Sequence, residues 1–338
     1  MRLRRSTPYG PGLRRVGRGR GFSYVTDAGE PVADEETLDR IHALAIPPAW
    51  RKVWICPYAN GHIQAVGVDA AGRRQYLYHE KWRQDRDEEK FDRVLELAAE
   101  LPAVRERIHA DLRRTGLDRQ RVAAVALGLV DRGVFRVGGE SYAEENGTRG
   151  VATLLREQVR LSGDEMRFDY PAKGGIRRQV RISDPDLACA IRSLRRSRSG
   201  SQRLLVYRHG SRYGELHAED INDRFRELSG CDCSVKDLRT WHGTVLAAAG
   251  FAAIDRPSSS RARQAAERAV IADVAAALGN TPAVARESYV DPRVLEAFEQ
   301  GSTISSALRR AAAADSDQES QRIVERAVIR LLRRVRKG

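Results

Sequence analysis

The spacing of apolar positions changes period along the chain, and each change marks an element. Glu35-Glu-Thr-Leu-Asp-Arg-Ile-His-Ala-Leu predicts an amphipathic helix. It ends before Ile46-Pro-Pro, because a residue preceding proline is pushed out of helical geometry. Three β-rich runs follow, Val53-Trp-Ile-Cys, His62-Ile-Gln-Ala-Val-Gly-Val and Gln75-Tyr-Leu-Tyr, separated by Asn60-Gly61 and Ala71-Gly72 as in an antiparallel meander with tight turns. Alternation along the last run sets Gln75 on the face opposite Tyr76 and Tyr78. From Phe91 the period becomes helical: Phe91, Val94, Leu95 and Ala98, then Val104, Ile108 and Leu112, then Val122, Val125, Ala126 and Leu129 predict three helices before Arg136. Gln158-Val-Arg-Leu, Met166-Arg-Phe-Asp-Tyr and Gln179-Val-Arg-Ile predict a small sheet, with Pro171-Ala-Lys-Gly-Gly as a turn that sets Lys173 at a hairpin tip. Helices resume at Asp184-Pro185 and dominate to the end, where Val324, Val328, Leu331 and Val335 form a stripe that closes the core. The fold class is α+β: a small antiparallel β domain over residues 1–83, a polar linker over 84–90 that becomes the first turn of a long helix, and a mostly helical domain over 91–338 carrying a three-stranded sheet.

Composition narrows the function. The 338 residues give room for two cores, and no run approaches the roughly 18 apolar residues of a membrane helix. A net charge of +13, mostly from arginine, favours a polyanion, since guanidinium forks fit phosphate oxygens two at a time. Cys56, Cys189, Cys231 and Cys233 are too few and scattered for a disulfide framework, which points to a reducing cytoplasm. Cys231-Asp-Cys is too close for a Cys-x-x-Cys zinc clip, so no metal is expected. The amino terminus, with seven arginines before Asp27, reads either as an extended phosphate-touching arm or as a solvated lead-in.

The candidate chemistry lies between Lys236 and Tyr289. Arg239 in Asp-Leu-Arg-Thr offers a fork of donors, Asn280 follows the helix-ending Gly279 and can donate an amide hydrogen, and Tyr289 is a phenol nine residues later. Upstream stand Arg136 in Phe-Arg-Val-Gly-Gly and Lys173 in Ala-Lys-Gly-Gly. An ordinary phenol, of pKa about 10, is roughly one part in a thousand ionised at neutral pH, so its attack on a phosphodiester needs cations that take up developing charge. A sugar alkoxide leaves poorly and needs a proton donor, a role that suits a lysine. No Gly-x-x-x-x-Gly-Lys-[Ser/Thr] loop and no magnesium-holding carboxylate cluster is present, so no cofactor is expected.

This ordered set resembles the type IB DNA topoisomerases, in particular their poxvirus-like bacterial branch. Ile46-Pro-Pro-Ala-Trp, Val53-Trp-Ile, Asn60-Gly-His-Ile-Gln-Ala and Gly72-Arg-Arg-Gln-Tyr look like that family's amino-terminal clamp. The resemblance makes Tyr289 the nucleophile, Arg136, Arg239 and Asn280 the transition-state stabilisers, Lys173 the general acid, and Lys236 a helper in proton transfer. It implies relaxation of supercoiled double-stranded DNA through a 3′-phosphotyrosyl bond, without ATP or metal, by a nucleoid-associated enzyme. A monomer that does not enter membranes is expected, since no heptad seam runs long enough for a coiled-coil dimer and no apolar run could span a bilayer. Gln75, Tyr76, Tyr78 and Tyr142 are the expected DNA contacts. Viral members have histidine where this chain has Asn280, and a DNA-contacting lysine where it has Gly139. Two other functions fit parts of the pattern. A tyrosine recombinase uses a similar Arg, Lys, Arg, Tyr set but normally has His-x-x-Arg where Lys236-x-x-Arg239 stands, and an architectural DNA binder would keep the fold without chemistry.

Overall fold

The computed structural model describes residues 1–338 apart from 20, 134, 140–142, 144–146, 256, 258 and 336–338. The expected contact Tyr142 therefore lies outside the described residues. Two compact units result, Met1–Lys90 and Phe91–Gly338.

The first unit is a five-stranded antiparallel sheet in the order β2-β1-β3-β4-β5, from β1 (Leu13–Arg18), β2 (Gly21–Thr26), β3 (Arg51–Ile55), β4 (Ile63–Val68) and β5 (Arg74–Tyr78). The last three are the expected meander. The arginine-rich amino terminus is neither free arm nor lead-in over its whole length, because it supplies β1 and the start of β2. Arg18 and Gly21 pair where the two strands meet, and Gly19, with φ +57°, takes the left-handed geometry that suits a tight hairpin. Arg15 is a structural tie: its guanidinium donates to the carbonyls of Ile46, Pro47 and Trp50, at 3.1, 3.1 and 2.6 Å. Helix α1 (Glu35–Ala43) begins at Asp34, whose carboxylate accepts the Thr37 amide at 2.9 Å. Buried Ile41 of α1 joins Leu13, Val53, Ile55 and Ala65, while Trp54, Cys56, Ile63 and Val66 form a second cluster.

Between Phe91 and Arg136 the described residues form two helices, where three were expected. Helix α2 (Glu80–Leu112) is continuous over 33 residues and absorbs both the expected linker 84–90 and Pro102. The polar stretch stays helical through pairs one turn apart, Arg86 with Glu89 at 3.1 Å and Lys90 with Asp87 at 2.8 Å. At Pro102 the apolar stripe continues unbroken from Leu101 to Val104, so packing holds the helix where proline alone would end it. Helix α3 (Arg119–Gly133) is buried nearly all round and forms the centre of the second unit.

Strands β6 (Val159–Ser162), β7 (Glu165–Pro171) and β8 (Arg177–Ser183) make the expected three-stranded sheet in sequence order. Asp184 caps α4 (Pro185–Arg195), accepting the Leu187 amide at 3.0 Å. Helices dominate from there, as expected, with one short hairpin of β9 (Val206–His209) and β10 (Arg212–Glu215) following α4. The remainder is helical, through α5 (Ala218–Ser229), α6 (Val235–Ala252), α7 (Ser260–Leu278), α8 (Pro282–Tyr289), α9 (Pro292–Glu299), α10 (Ser305–Ala312) and α11 (Asp317–Val335). Cys231 and Cys233, whose sparse spacing pointed to a reducing compartment, are joined by a disulfide in the connection between α5 and α6. No helix among the described residues is long and apolar enough to cross a membrane.

A buried charge network ties four helices of this unit together. Arg105 of α2 donates to Asp131 of α3 at 2.8 and 3.1 Å and to Glu325 of α11 at 2.7 and 2.9 Å. Trp241 of α6 adds its indole N–H to Glu325 at 3.2 Å. Burial alone would raise the Asp131 pKa, but Arg105 and His242 outweigh it and hold the carboxyl far below the ordinary range.

Candidate active site

Helix α7 ends in a left-handed Gly279, φ +63°, with the Asn280 amide folded back to the Ala275 carbonyl at 2.8 Å. Such an end presents carbonyls without helical partners and carries the negative pole of the helix. Three arginines from three separate parts of the chain meet it. Arg178 of β8 donates to Ala276 O and Ala277 O at 3.3 and 2.9 Å, Arg239 of α6 to Leu278 O at 3.0 Å, and Arg136 to Gly279 O at 3.0 Å. Four successive carbonyls thus gather the cations that sequence separates by more than a hundred residues.

Each arginine is positioned by its own packing. Phe135, fully buried, lies edge-on to Phe168 at 5.1 Å and stacked on Tyr170 at 5.5 Å, and so anchors the backbone of Arg136 on β7. The Arg136 carbonyl accepts the Val151 amide at 2.8 Å. Beyond it Gly138 and Gly150 cross so closely that a Cβ on Gly150 would come 2.5 Å from the Gly138 nitrogen. Arg239 is only 3% exposed and its Cζ lies 5.5 Å from the Tyr289 ring centroid. Burial, resisted by Tyr289 and reinforced by the cations Arg136 and Arg178, draws its pKa down to about 10. Desolvated positive charge is therefore concentrated here, and an arriving anion relieves it.

Helix α6 also seats the phenol. One turn after Arg239, a Cβ on Gly243 would meet the Tyr289 carbonyl at 2.5 Å, so only glycine admits the end of α8. Thr244 Oγ1 donates to that carbonyl at 3.4 Å and accepts from the Asp291 amide at 3.1 Å. Tyr289 itself is 9% exposed. Asn280 completes the group. Its Oδ1 accepts from Arg136, which can only donate, so the amide orientation is settled. Its Nδ2 is then left buried and without a hydrogen-bond partner. A cleft of about 540 Å³ lined by Arg132, Arg178 and Asn280 opens between β8 and the end of α7.

The structure thus brings Arg136, Arg239, Asn280 and Tyr289 together. Lys173 is not buried with them: it lies on the exposed turn between β7 and β8, at the hairpin tip where its sequence placed it. Lys236 is exposed in the first turn of α6 while Arg239, three residues on, is buried. In the other unit Tyr76 and Tyr78 are exposed and stacked at 6.0 Å, and Gln75 points to the opposite face, where its amide donates to Asp69 at 2.9 Å. Sequence reasoning missed Arg178 and Tyr170. Burial raises the Tyr170 phenol pKa against the pull of Arg178, Arg239 and Arg136, which marks it as a neighbour of the same group. The close succession Arg177-Arg178 after Lys173 was visible, but nothing local says which arginine faces α7.

Guanidiniums and a bare amide donor converging beside a buried phenol are the equipment of an enzyme that works on phosphodiesters. Comparison with known proteins makes the class specific. The family model of the eukaryotic DNA topoisomerase I catalytic core matches residues 79–314, and that of the bacterial DNA topoisomerase IB N-terminal domain matches residues 21–69. The chain belongs to the type IB DNA topoisomerases, and it is an isomerase of DNA. The DNA topoisomerase 1B of Acanthamoeba polyphaga mimivirus is 28% identical over 284 residues, covering 82% of this chain and 84% of its own. The DNA topoisomerase I of Monkeypox virus and the DNA topoisomerase 1B of Vaccinia virus (strain Copenhagen) are each 22% identical over 237 residues, covering 68% of this chain and 71% of theirs.

Proposed function

We propose that Tyr289 attacks one DNA phosphodiester, forms a 3′-phosphotyrosyl bond and releases a 5′-hydroxyl, which later reverses the step after the duplex has swivelled. The observation that carries this reading is the meeting of Arg136, Arg239 and the bare Asn280 amide beside the Tyr289 ring. Attack spreads negative charge over two non-bridging oxygens. Arg136 and Arg239 each donate an N–H to a carbonyl of α7, which holds their positive charge beside the phenol where the developing charge falls. Asn280 Nδ2 adds a neutral donor. Preorganised donors of this kind are each worth about 3–4 kcal/mol in the transition state.

Lys173 protonates the leaving 5′-oxygen, delivered by its glycine-flanked turn, in which Gly174 and Gly175 both have positive φ. Lys236 sits near enough in sequence to Arg239 to assist proton movement from the helix edge. Tyr76 and Tyr78, exposed and stacked, contact the DNA, and Gln75 steadies the strand that carries them. The covalent bond conserves the energy of the diester, so closure needs no nucleotide. One chain carries every group in this scheme, and it acts as a monomer.

The test is a supercoiled plasmid incubated with enzyme and no nucleotide, followed by denaturation. Wild type is expected to give a ladder of relaxed topoisomers and a protein–DNA adduct, and Tyr289→Phe neither. An adduct retained by Tyr289→Phe would remove the phenol from the scheme, and products requiring two DNA sites would favour a recombinase.

A further inference from the structure

The first residues of the arginine-rich amino terminus have no part in the scheme above. Within the unit Met1–Lys90 they border an open groove of about 880 Å³, together with the end of β5 and the first turns of α2. They precede both stretches matched by the family models. The segment is nevertheless fixed. Arg4 N donates to Asn60 O and His62 N to Arg4 O, both at 2.9 Å, and Ser6 N donates to His62 Nδ1 at 2.8 Å. The Arg4 guanidinium rests 3.6 Å from the Tyr58 ring centroid.

Four exposed arginines line the groove: Arg4 and Arg5 from the terminus, Arg83 and Arg86 from α2. The acid among the lining residues, Asp87, is paired with Lys90 at 2.8 Å. Arg86 also pairs with Glu89 at 3.1 Å, but that pair is exposed on both sides and yields readily to a stronger anion. Aromatic faces interleave with the cations: Trp82 lies edge-on to His62 at 4.8 Å, and Tyr78 stacks on Tyr76 at 6.0 Å. Cations spread over two chain segments suit successive phosphates better than one small anion. Interleaved rings suit the sugars and bases between phosphates. Through Tyr78 the groove is continuous with the surface read above as touching DNA.

We propose that this groove is a second DNA-contact site, in which Arg4, Arg5, Arg83 and Arg86 hold consecutive backbone phosphates of the strand flanking the segment touched by Tyr76 and Tyr78. It rests on the reading that the chain acts on duplex DNA, and it extends the footprint beyond the catalytic contacts. The bound strand is held by charge, not by base identity, so affinity rises without change in sequence preference.

The test measures equilibrium binding of the full chain to a labelled duplex across a salt series. Wild type is compared with R4A/R5A, R83A/R86A and, as a control pair away from the groove, R309A/R310A of α10. Each groove pair is expected to flatten the slope of log K against log salt by about 1.8, from about 0.9 per lost phosphate contact. Single-turnover cleavage at saturating DNA should stay within about two-fold of wild type. An unchanged slope in both groove pairs overturns the proposal, as does an equal flattening by R309A/R310A, which would signify net charge alone. Binding needs no chemistry, so a wild-type protein that formed no Tyr289 adduct would refute the catalytic reading while the slopes still decided the groove.

Discussion

Asn280 offers the sharpest test of the catalytic geometry, because its two side-chain atoms have separate tasks. Oδ1 accepts from Arg136, and Nδ2 is buried with no partner. Asn280→Asp keeps the size and the acceptor but replaces the free donor with a carboxylate oxygen. Asn280→Ala removes both. Losing one preorganised donor should slow cleavage by about 10²–10³, or about 3–4 kcal/mol. The aspartate adds a unit negative charge near an anionic phosphate. At about 4 Å and an effective dielectric of about 20 that repulsion is about 4 kcal/mol, or nearly 10³ in rate. Pairing with Arg136 absorbs part of it, so the aspartate variant should fall at least about ten-fold below alanine. The same pairing should keep its thermal midpoint at or above that of wild type, which separates loss of chemistry from loss of fold. The assay is single-turnover adduct formation on a duplex whose leaving strand is too short to remain annealed. If Asn280→Asp cleaves within about three-fold of wild type, Nδ2 does not face the phosphate and the assembly has been misread.

Further outcomes follow from other parts of the structure. Lys173→Ala should lower cleavage of an ordinary strand by about 10²–10⁴, the usual range for a general acid. A substrate with sulfur at the bridging 5′ position should restore it to within about ten-fold, because a thiolate leaves without a proton; equal losses on both substrates would deny Lys173 the acid's role. Asp131→Asn should destabilise the fold by about 3–5 kcal/mol at pH 7, since it leaves the buried Arg105 short of one carboxylate partner. Asp131 has its pKa lowered on folding, so its contribution is complete above the unfolded value of about 3.9 and is lost as pH falls below it. The gap between wild type and Asp131→Asn in urea melts should accordingly narrow below about pH 4, and a gap independent of pH would contradict the ion-pair account.

Local signals were sufficient for many elements. Asp184-Pro185 announced α4, Gly279 announced the end of α7, and strict alternation separated Gln75 from Tyr76 and Tyr78. The positions of Arg136, Arg239, Asn280 and Tyr289 were legible as an ordered set, whereas the place where they meet was not. The arginines' common anchor is the carbonyl edge of α7, made of backbone groups that have no sequence signature. Arg178 went unnoticed for the same reason, since among so many arginines only a specific acceptor distinguishes one. Polar runs misled in two places. Residues 84–90 resemble a linker until their charges are seen to pair one turn apart, and β1 carries arginines where a strand is ordinarily recognised by branched apolar residues. Glu325 interrupts an apolar stripe correctly assigned to the core, yet it is itself buried because Arg105 and Trp241 wait for it from elsewhere in the chain.

The terminal turn of α7 has an implication for how this chain can change. Inserting one residue ahead of Gly279 would advance the following backbone by about 1.5 Å and rotate it by about 100°. Arg136, Arg178 and Arg239 would each then confront a displaced oxygen, and Asn280 would swing away with them. Surface loops elsewhere can lengthen freely, but here a single added residue should silence the enzyme in one step, so variation in the family ought to substitute along this segment without altering its length.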